Sequence, residues 1–328
     1  MKKERTMKSA PPIDVKAGLV LAVLAAALIC LPANLATAAH QSSEQVAVAQ
    51  KGFAKPQEAA NALIKAAEAF DVTALLEIFG PDGKDLVTTQ DPVQDKNNSL
   101  AFAAAAREKQ SLAKDPSDKN RYILSVGNQD WPLPIPIVKR SGKWFFDSKA
   151  GHDEILYRRI GANELNAIQV CRGFVEAQLE YASSIHDDSG IYQYAQKLIS
   201  TPGKQDGLYW ENADGTPGGP ITKGVAKAIE EGYSLSPGSA YGGYYFRLLK
   251  GQGPSAPMGE LDYIIKGMMI GGFAIIAVPA EYGVTGIQTF IVSHNGVVYQ
   301  KDLGPDSVNA AKQIERYDPD KTWTRTDD

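Results

Sequence analysis

At 328 residues, 44% of them hydrophobic, the chain is too long for one ordinary compact domain and suits two with their own cores. Its net charge of −4 becomes −7 once residues 1–38, with five Lys/Arg and two Asp/Glu, are set aside. No basic cluster interrupts that surface, which excludes nucleic acid and anionic lipid as expected partners. Of the two cysteines Cys30 lies in the segment set aside, so Cys171 has no intramolecular disulfide partner and stability has to come from apolar cores.

Lys2, Lys3, Arg5, Lys8 and Lys16 precede an apolar run from Ala17 to Leu31, which Pro32 breaks before the small-x-small sequence Ala36-Thr37-Ala38. This layout predicts a secretory signal over 1–38, cleaved after Ala38 or Ala39. The run is shorter than the roughly 20 residues a spanning helix needs, so an uncleaved N-terminal anchor is the alternative. A lipid anchor on Cys30 is disfavoured by the bulky Ile29 before it. The expected location is periplasmic or secreted, with no membrane span in the mature chain.

Residues 39–52 read as a linker. The helix formers from Pro56 to Phe70 predict a first helix, with proline in its first turn. Asp71 is placed to cap a second, short helix through Leu75 and Ile78, ended by Gly80-Pro81. A polar stretch over Asp82–Asp85 follows, then a third helix over about 98–109. The period then changes to that of strands at 122–126, 135–139 and 143–147, with turns at Gly127-Asn128 and Ser141-Gly142. The Pro-rich piece 131–136 is expected at an edge, because proline cannot donate to a ladder. Helices followed by an antiparallel sheet predict an α+β domain over 53–148.

A long helix is expected from about His152 to Ser184, with Leu165, Ile168, Cys171, Val175 and Leu179 on its buried stripe. Asn166, Arg172, Gln178 and Glu180 fall on the opposite face. Cys171 reads as a core residue. An irregular region from Ile185 to about Gly224 includes an expected short helix at 192–199. Aromatic and β-branched runs predict strands at 244–249, 264–270, 273–280, 289–293 and 297–301. Gly271-Gly272 and His294-Asn295-Gly296 are read as their hairpin turns. Ile264–Ala280 reads as a buried antiparallel pair, since Lys266, three glycines and Pro279 argue against a membrane helix. The whole is α+β: N-terminal helices on a curved antiparallel sheet, then a C-terminal domain over 152–318 with a long helix on an antiparallel sheet.

The strings Gly80-Pro-Asp-Gly-Lys-Asp85, Asp130-Trp-Pro-Leu-Pro-Ile-Pro136, Asn163-Glu-Leu-Asn-Ala-Ile-Gln-Val-Cys171 and Thr201-Pro-Gly-Lys-Gln-Asp-Gly-Leu-Tyr-Trp210 are long and unusual. So are Gly242-Gly-Tyr-Tyr-Phe-Arg247, Pro279-Ala-Glu-Tyr-Gly283 and Val298-Tyr-Gln-Lys-Asp-Leu-Gly304. With them the mature chain resembles a bacterial envelope family catalogued as domain of unknown function 2950. The resemblance implies export and assigns no activity or catalytic residue. From Arg158 to about Lys301 the element order also resembles the globular part of type IV pilin-like proteins, without their apolar helix. The first domain's order resembles nuclear transport factor 2-like folds, a likeness that carries no function.

Asp187 and Asp188, in a loop with Gly190, suggest calcium, although an EF-type loop needs oxygen ligands at alternate positions and a final glutamate. His40, His152, His186 and His294 form no zinc spacing. No nucleophile elbow or P-loop occurs. Asp130-Trp131 and Trp210-Glu211 pair an aromatic with a carboxylate, as sugar and peptide grooves do; such pairs also sit at core edges. Glu164 and Glu281 are carboxylates in apolar settings that either titrate abnormally or satisfy backbone donors. The reading is a non-catalytic binding or assembly protein, its partner an envelope protein or cell-wall component, with no cofactor beyond that calcium suggestion. The competing class is a cell-wall glycan or peptide hydrolase acting through Glu164, Asp188 or Glu281.

Overall fold

The computed structural model describes residues 50–88, 92–222 and 240–326. The signal segment 1–38 and most of the 39–52 linker lie outside them. The fold is α+β, and the chain divides into two compact units, one ending at Ile155 and the other Leu156–Asp328.

In the first unit, helix α1 (Pro56–Ala69) opens on its proline and closes at Phe70 in the left-handed conformation. Ala59, Ala60, Leu63, Ala66 and Ala67 give it a buried face at helical spacing. Helix α2 (Val72–Phe79) is capped as expected: Asp71 Oδ1 accepts the Ala74 N–H at 3.0 Å. The polar stretch at 82–85 is helical in short turns. Pro81–Gly83 makes a 3₁₀ turn and Lys84–Val87 a helical turn, α3, because Val87 has a core to enter. Helix α4 (Pro92–Glu108) starts six residues before the expected Asn98. Pro92 fits a first turn, and Asp95 favours the positive helix end, so the polar run there is helical.

The sheet runs in the order β1 (Gln110–Lys114), β2 (Arg121–Val126), β4 (Ile137–Arg140), β5 (Lys143–Phe146). Strand β3 (Trp131–Pro132) pairs with β2 at Ser125 and Val126, in the same row as β4. Strand β1 lies where the sequence pattern predicts no strand. Its sequence holds no β-branched or aromatic residue, and pairing with β2 from Gln110↔Val126 to Lys114↔Tyr122 forms it. The core gathers Leu63, Ile78, Phe79, Leu124, Ile137 and Phe146 between helices and sheet.

Helix α5 (Ser148–Tyr181) begins in the first unit and continues into the second. Its buried face is rotated from the expected stripe: Leu165 is 58% and Leu179 51% exposed, while Ala167, Cys171, Phe174, Val175 and Tyr181 are buried. Gln178, expected on the polar face, is fully buried. Its amide explains both this and a second correction. Gln178 Oε1 accepts the Ala195 N–H at 2.8 Å, and its Nε2 donates to the Ala195 carbonyl at 2.8 Å. That holds the 192–199 segment extended instead of helical. Lys197–Ile199 becomes strand β6, parallel to β7 (Gly207–Glu211), which β8 (Pro217–Gly218) extends.

The main sheet of the second unit runs β17 (Thr324–Arg325), β16 (Tyr299–Asp302), β15 (Gln288–Ser293), β14 (Ala274–Pro279), β9 (Tyr244–Leu249), all antiparallel. The His294-Asn295-Gly296 turn joins β15 to β16, with Asn295 Oδ1 accepting the Val297 N–H at 3.0 Å. The expected pairing of 264–270 with 273–280 is wrong. Ile264–Ile265 (β12) pairs with Met268–Met269 (β13) across Lys266-Gly267, both at positive φ, a two-residue turn that closes a hairpin at once. Strand β14 is buried along its whole length between β9 and β15. A short strand pair, β10 (Gly251–Gln252) and β11 (Leu261–Asp262), and helix α6 (Ser307–Lys312) complete the unit. No helix among the described residues is long and apolar enough to cross a membrane.

Candidate functional site

The first unit carries a partly open cavity of about 140 Å³. Leu63, Ala67 and Phe70 of α1 and its C-terminus line one side; Leu75, Phe79 and Val87 close another. The third wall is the Pro-rich string. Gly127 and Asp130 form a turn closed by Asp130 N–H to the Gly127 carbonyl at 3.0 Å, and Asp130 holds positive φ. The chain then presents Trp131, Leu133, Pro134 and Ile135 to the cavity. Prolines suit such a wall because they bring no N–H to satisfy against an apolar space. Asp130 itself points elsewhere, to Lys109 Nζ at 2.6 Å.

Three polar residues of α4 supply the cavity's only polar rim among the described residues. Asp95 is 8% exposed. Asn98 Oδ1 accepts from Gln94 Nε2 at 2.7 Å, and Ser99 Oγ donates to the Ala67 carbonyl at 2.9 Å. With Phe102 these residues recur at steps of three, one and three, which places them on one face of the helix. Sequence reasoning named Trp131 and missed the rest. The available signal was helical spacing: the helix expected over about 98–109 already held Asn98, Ser99 and Phe102 and stopped short of Asp95.

Trp210 belongs to a different cluster, in the second unit. His186 stacks on Tyr181 at 4.0 Å, and the Trp210 ring stands edge-on to Tyr181 at 6.4 Å and 5.3 Å from His186. Its Nε1 donates to Asn212 Oδ1 at 3.1 Å. Burial, then the nearby Asp206 and Asp187 carboxylates, push the Tyr181 hydroxyl up to about 12. Glu211 Oε1 accepts from the Tyr209 hydroxyl at 3.4 Å.

Both oxygens of Asp187 are engaged. Oδ1 accepts the Ser189 N–H at 2.9 Å and the Ser189 hydroxyl, and Oδ2 accepts from Gln193 Nε2 at 2.6 Å. The Ser189 hydrogen bonds, above all, hold its carboxyl below the usual range. Asp188 is exposed beside it. Among the described residues no group of three or more His, Cys, Asp or Glu side chains is arranged to hold a metal.

Glu164 Oε1 accepts the Ile287 and Gln288 N–H groups at 2.9 and 3.0 Å, at the start of β15. Asn163 Nδ2 donates to the Thr285 carbonyl at 2.9 Å. A side chain on Gly243, at positive φ, would meet Asn163 Nδ2 at 2.6 Å. The Asn163-Glu164 pair therefore clamps the Gly242-Gly243 turn and the loop before β15 against the helix. Glu281 is exposed in that loop, where its N–H donates to Thr285 Oγ1 at 3.0 Å. Cys171 is fully buried, and burial pushes its thiol up to about 12, the state of a packed side chain and not of a nucleophile.

The fold and these sites define an α+β protein with an apolar pocket in its first unit, and its strongest sequence strings mostly build structure. Residues 50–326 match the family described as Protein of unknown function (DUF2950), and the chain belongs to it. No curated protein and no solved structure matches it.

Proposed function

We propose that this protein is exported and works by binding, without catalysis, an apolar group of an envelope protein or cell-wall component. The supporting observation is the cavity behind Trp131. Ligand sites are concave and mostly apolar, with few polar groups that fix orientation, and the α4 rim of Asp95, Asn98 and Ser99 has that character. Its volume falls below the usual range for whole small molecules. An apolar space of about 150 Å³ does admit a benzene-sized group. The occupant is therefore one aromatic or branched side chain, or the end of an acyl chain. Residues 1–38 supply the export reading through their charged, apolar and small-residue layout.

A photo-crosslinking residue placed at Phe102 tests this in the native envelope. We expect a discrete adduct with one protein or wall fragment, lost when Ala67→Leu fills the cavity, and a mature chain starting at Ala39 or His40. Adducts that persist in the filled variant would remove the cavity from the proposal. A purified chain still starting at Met1 would remove the cleaved signal.

A further inference from the structure

The α6 side of the second unit's sheet carries a groove of about 390 Å³, within the range of small-molecule clefts. Strand register explains it. Arg247, Ile276, Ile291 and Tyr299 stand in one cross-strand row, and Arg247 Nη2 donates to the carbonyls of Ala311 and Ile314 at the end of α6. The chain leaving α6 thus crosses the sheet at β9 and β14 and leaves β15 and β16 open beyond it. Ile291 and Ile314 form the floor of that opening, and Trp323, just before β17, forms a wall.

The polar rim decides what the groove can take. Lys301 and Arg316 are balanced by Glu315 and Asp318, so its formal charge is zero. Arg316 is committed and Lys301 partly so. Lys301 Nζ donates to Thr322 Oγ1 at 2.8 Å and lies 5.7 Å from the Trp323 ring centre. Arg316 donates to the carbonyls of Gln252 and Leu261 and to Asp262 Oδ1, at 3.1, 3.3 and 2.5 Å. Asp318 Oδ1 accepts the Ser255 N–H at 2.7 Å. The Gln313 amide and the Glu315 carboxylate, both exposed, make no side-chain hydrogen bond among the described residues. An anion would meet the Glu315 and Asp318 carboxylates alongside the one partly open cation, Lys301.

We propose that this groove binds a neutral saccharide. One sugar face lies against the part of the Trp323 indole left open beside Lys301, and its hydroxyls meet the two open side chains, accepting from the Gln313 amide and donating to the Glu315 carboxylate. The site is independent of the cavity in the first unit, and either reading stands if the other fails.

The test is calorimetric titration of the purified full chain with maltose, cellobiose and N,N′-diacetylchitobiose, with inorganic phosphate as the anionic control. At least one disaccharide is expected to saturate the protein, and phosphate is not. Trp323→Ala should weaken that binding about three- to tenfold, the scale of an aromatic stacking contact. Because Trp323 also packs on the core, Gln313→Ala and Glu315→Ala at exposed positions are the second test, each expected to weaken binding while the melting temperature holds. Trp210→Ala, outside the groove, should leave affinity unchanged. Saturation by none of the three sugars, equal binding to the Gln313 and Glu315 variants, or saturation by phosphate instead would overturn the assignment.

Discussion

Replacing Gln178 by leucine should destabilise the second unit more than any exposed change on α5. Gln178 and Ala195 are both fully buried, and one side-chain amide satisfies both backbone groups of Ala195. Leucine fills nearly the same space but leaves that N–H and carbonyl unpaired and away from water. Each orphaned group costs about 1–3 kcal/mol. The added apolar burial of leucine offsets part of the loss, so the expected net is about 2–4 kcal/mol. The assay is urea unfolding read by hydrogen exchange of peptides spanning 190–200, which isolates this unit. The Ala195 amide should lose protection first. Glu176→Ala, exposed two residues away, should stay within about 0.5 kcal/mol. Gln178→Glu adds a pH signature. Burial raises the new carboxyl's pKa in the folded state, and only its protonated form can donate to the Ala195 carbonyl. Its stability is thus present at low pH and lost as pH rises through that raised value. A leucine variant within about 0.5 kcal/mol of wild type, with normal protection at Ala195, would refute the role given to this amide.

His294 Nδ1 is buried without a partner, beside the Tyr263 and Phe273 rings, and burial lowers its pKa below 6.5. As pH falls through 6.5 the unfolded chain takes up a proton that the folded chain refuses, so stability drops until the lowered folded value is passed. His294→Asn should flatten that acid slope in urea midpoints measured from neutral to acidic pH; an unchanged slope would assign it to other groups. Asp71→Ala removes the α2 cap and should cost about 0.5–2 kcal/mol in the first unit's unfolding transition. Since Ser189 and Gln193 already hold the Asp187 oxygens, EDTA should leave the melting curve unchanged and added calcium should not raise it; a rise with calcium would restore a metal site there.

Much of the architecture was legible where local signals and tertiary demands agree. The proline start of α1, the Asp71 cap and the Asn295-Gly296 turn act within a few residues, and the aromatic run of β9 needs only a sheet to join. Other elements depended on partners distant in sequence. Strand β1 exists because β2 offers its edge. The inward face of α5 was misjudged because Gln178 is polar yet finds both groups of Ala195, while Leu165 and Leu179 stay exposed. Residues 192–199 have helix-compatible composition, but their backbone groups are used by that glutamine and by β7. The cavity was half legible. Trp131 stands out in the sequence as an aromatic paired with the Asp130 carboxylate. Asp95, Asn98 and Ser99 acquire meaning only once α4 lies across from that wall. Glu164 was visible as a carboxylate in an apolar setting, and its two backbone donors come from a loop more than 120 residues away.

The proposal of apolar binding rests on the cavity accepting a guest, and saturation-transfer NMR with toluene, paired with thermal melting, asks that of the full chain. Wild type should show transfer to toluene and a melting temperature that climbs with toluene concentration, as a ligand bound only to the folded state requires. Ala67→Leu, which occupies the space with its own side chain, should fold as stably and show neither effect. Absence of transfer in wild type, or equal transfer in the filled variant, would mean that the space behind Trp131 is packing imperfection and not a binding site.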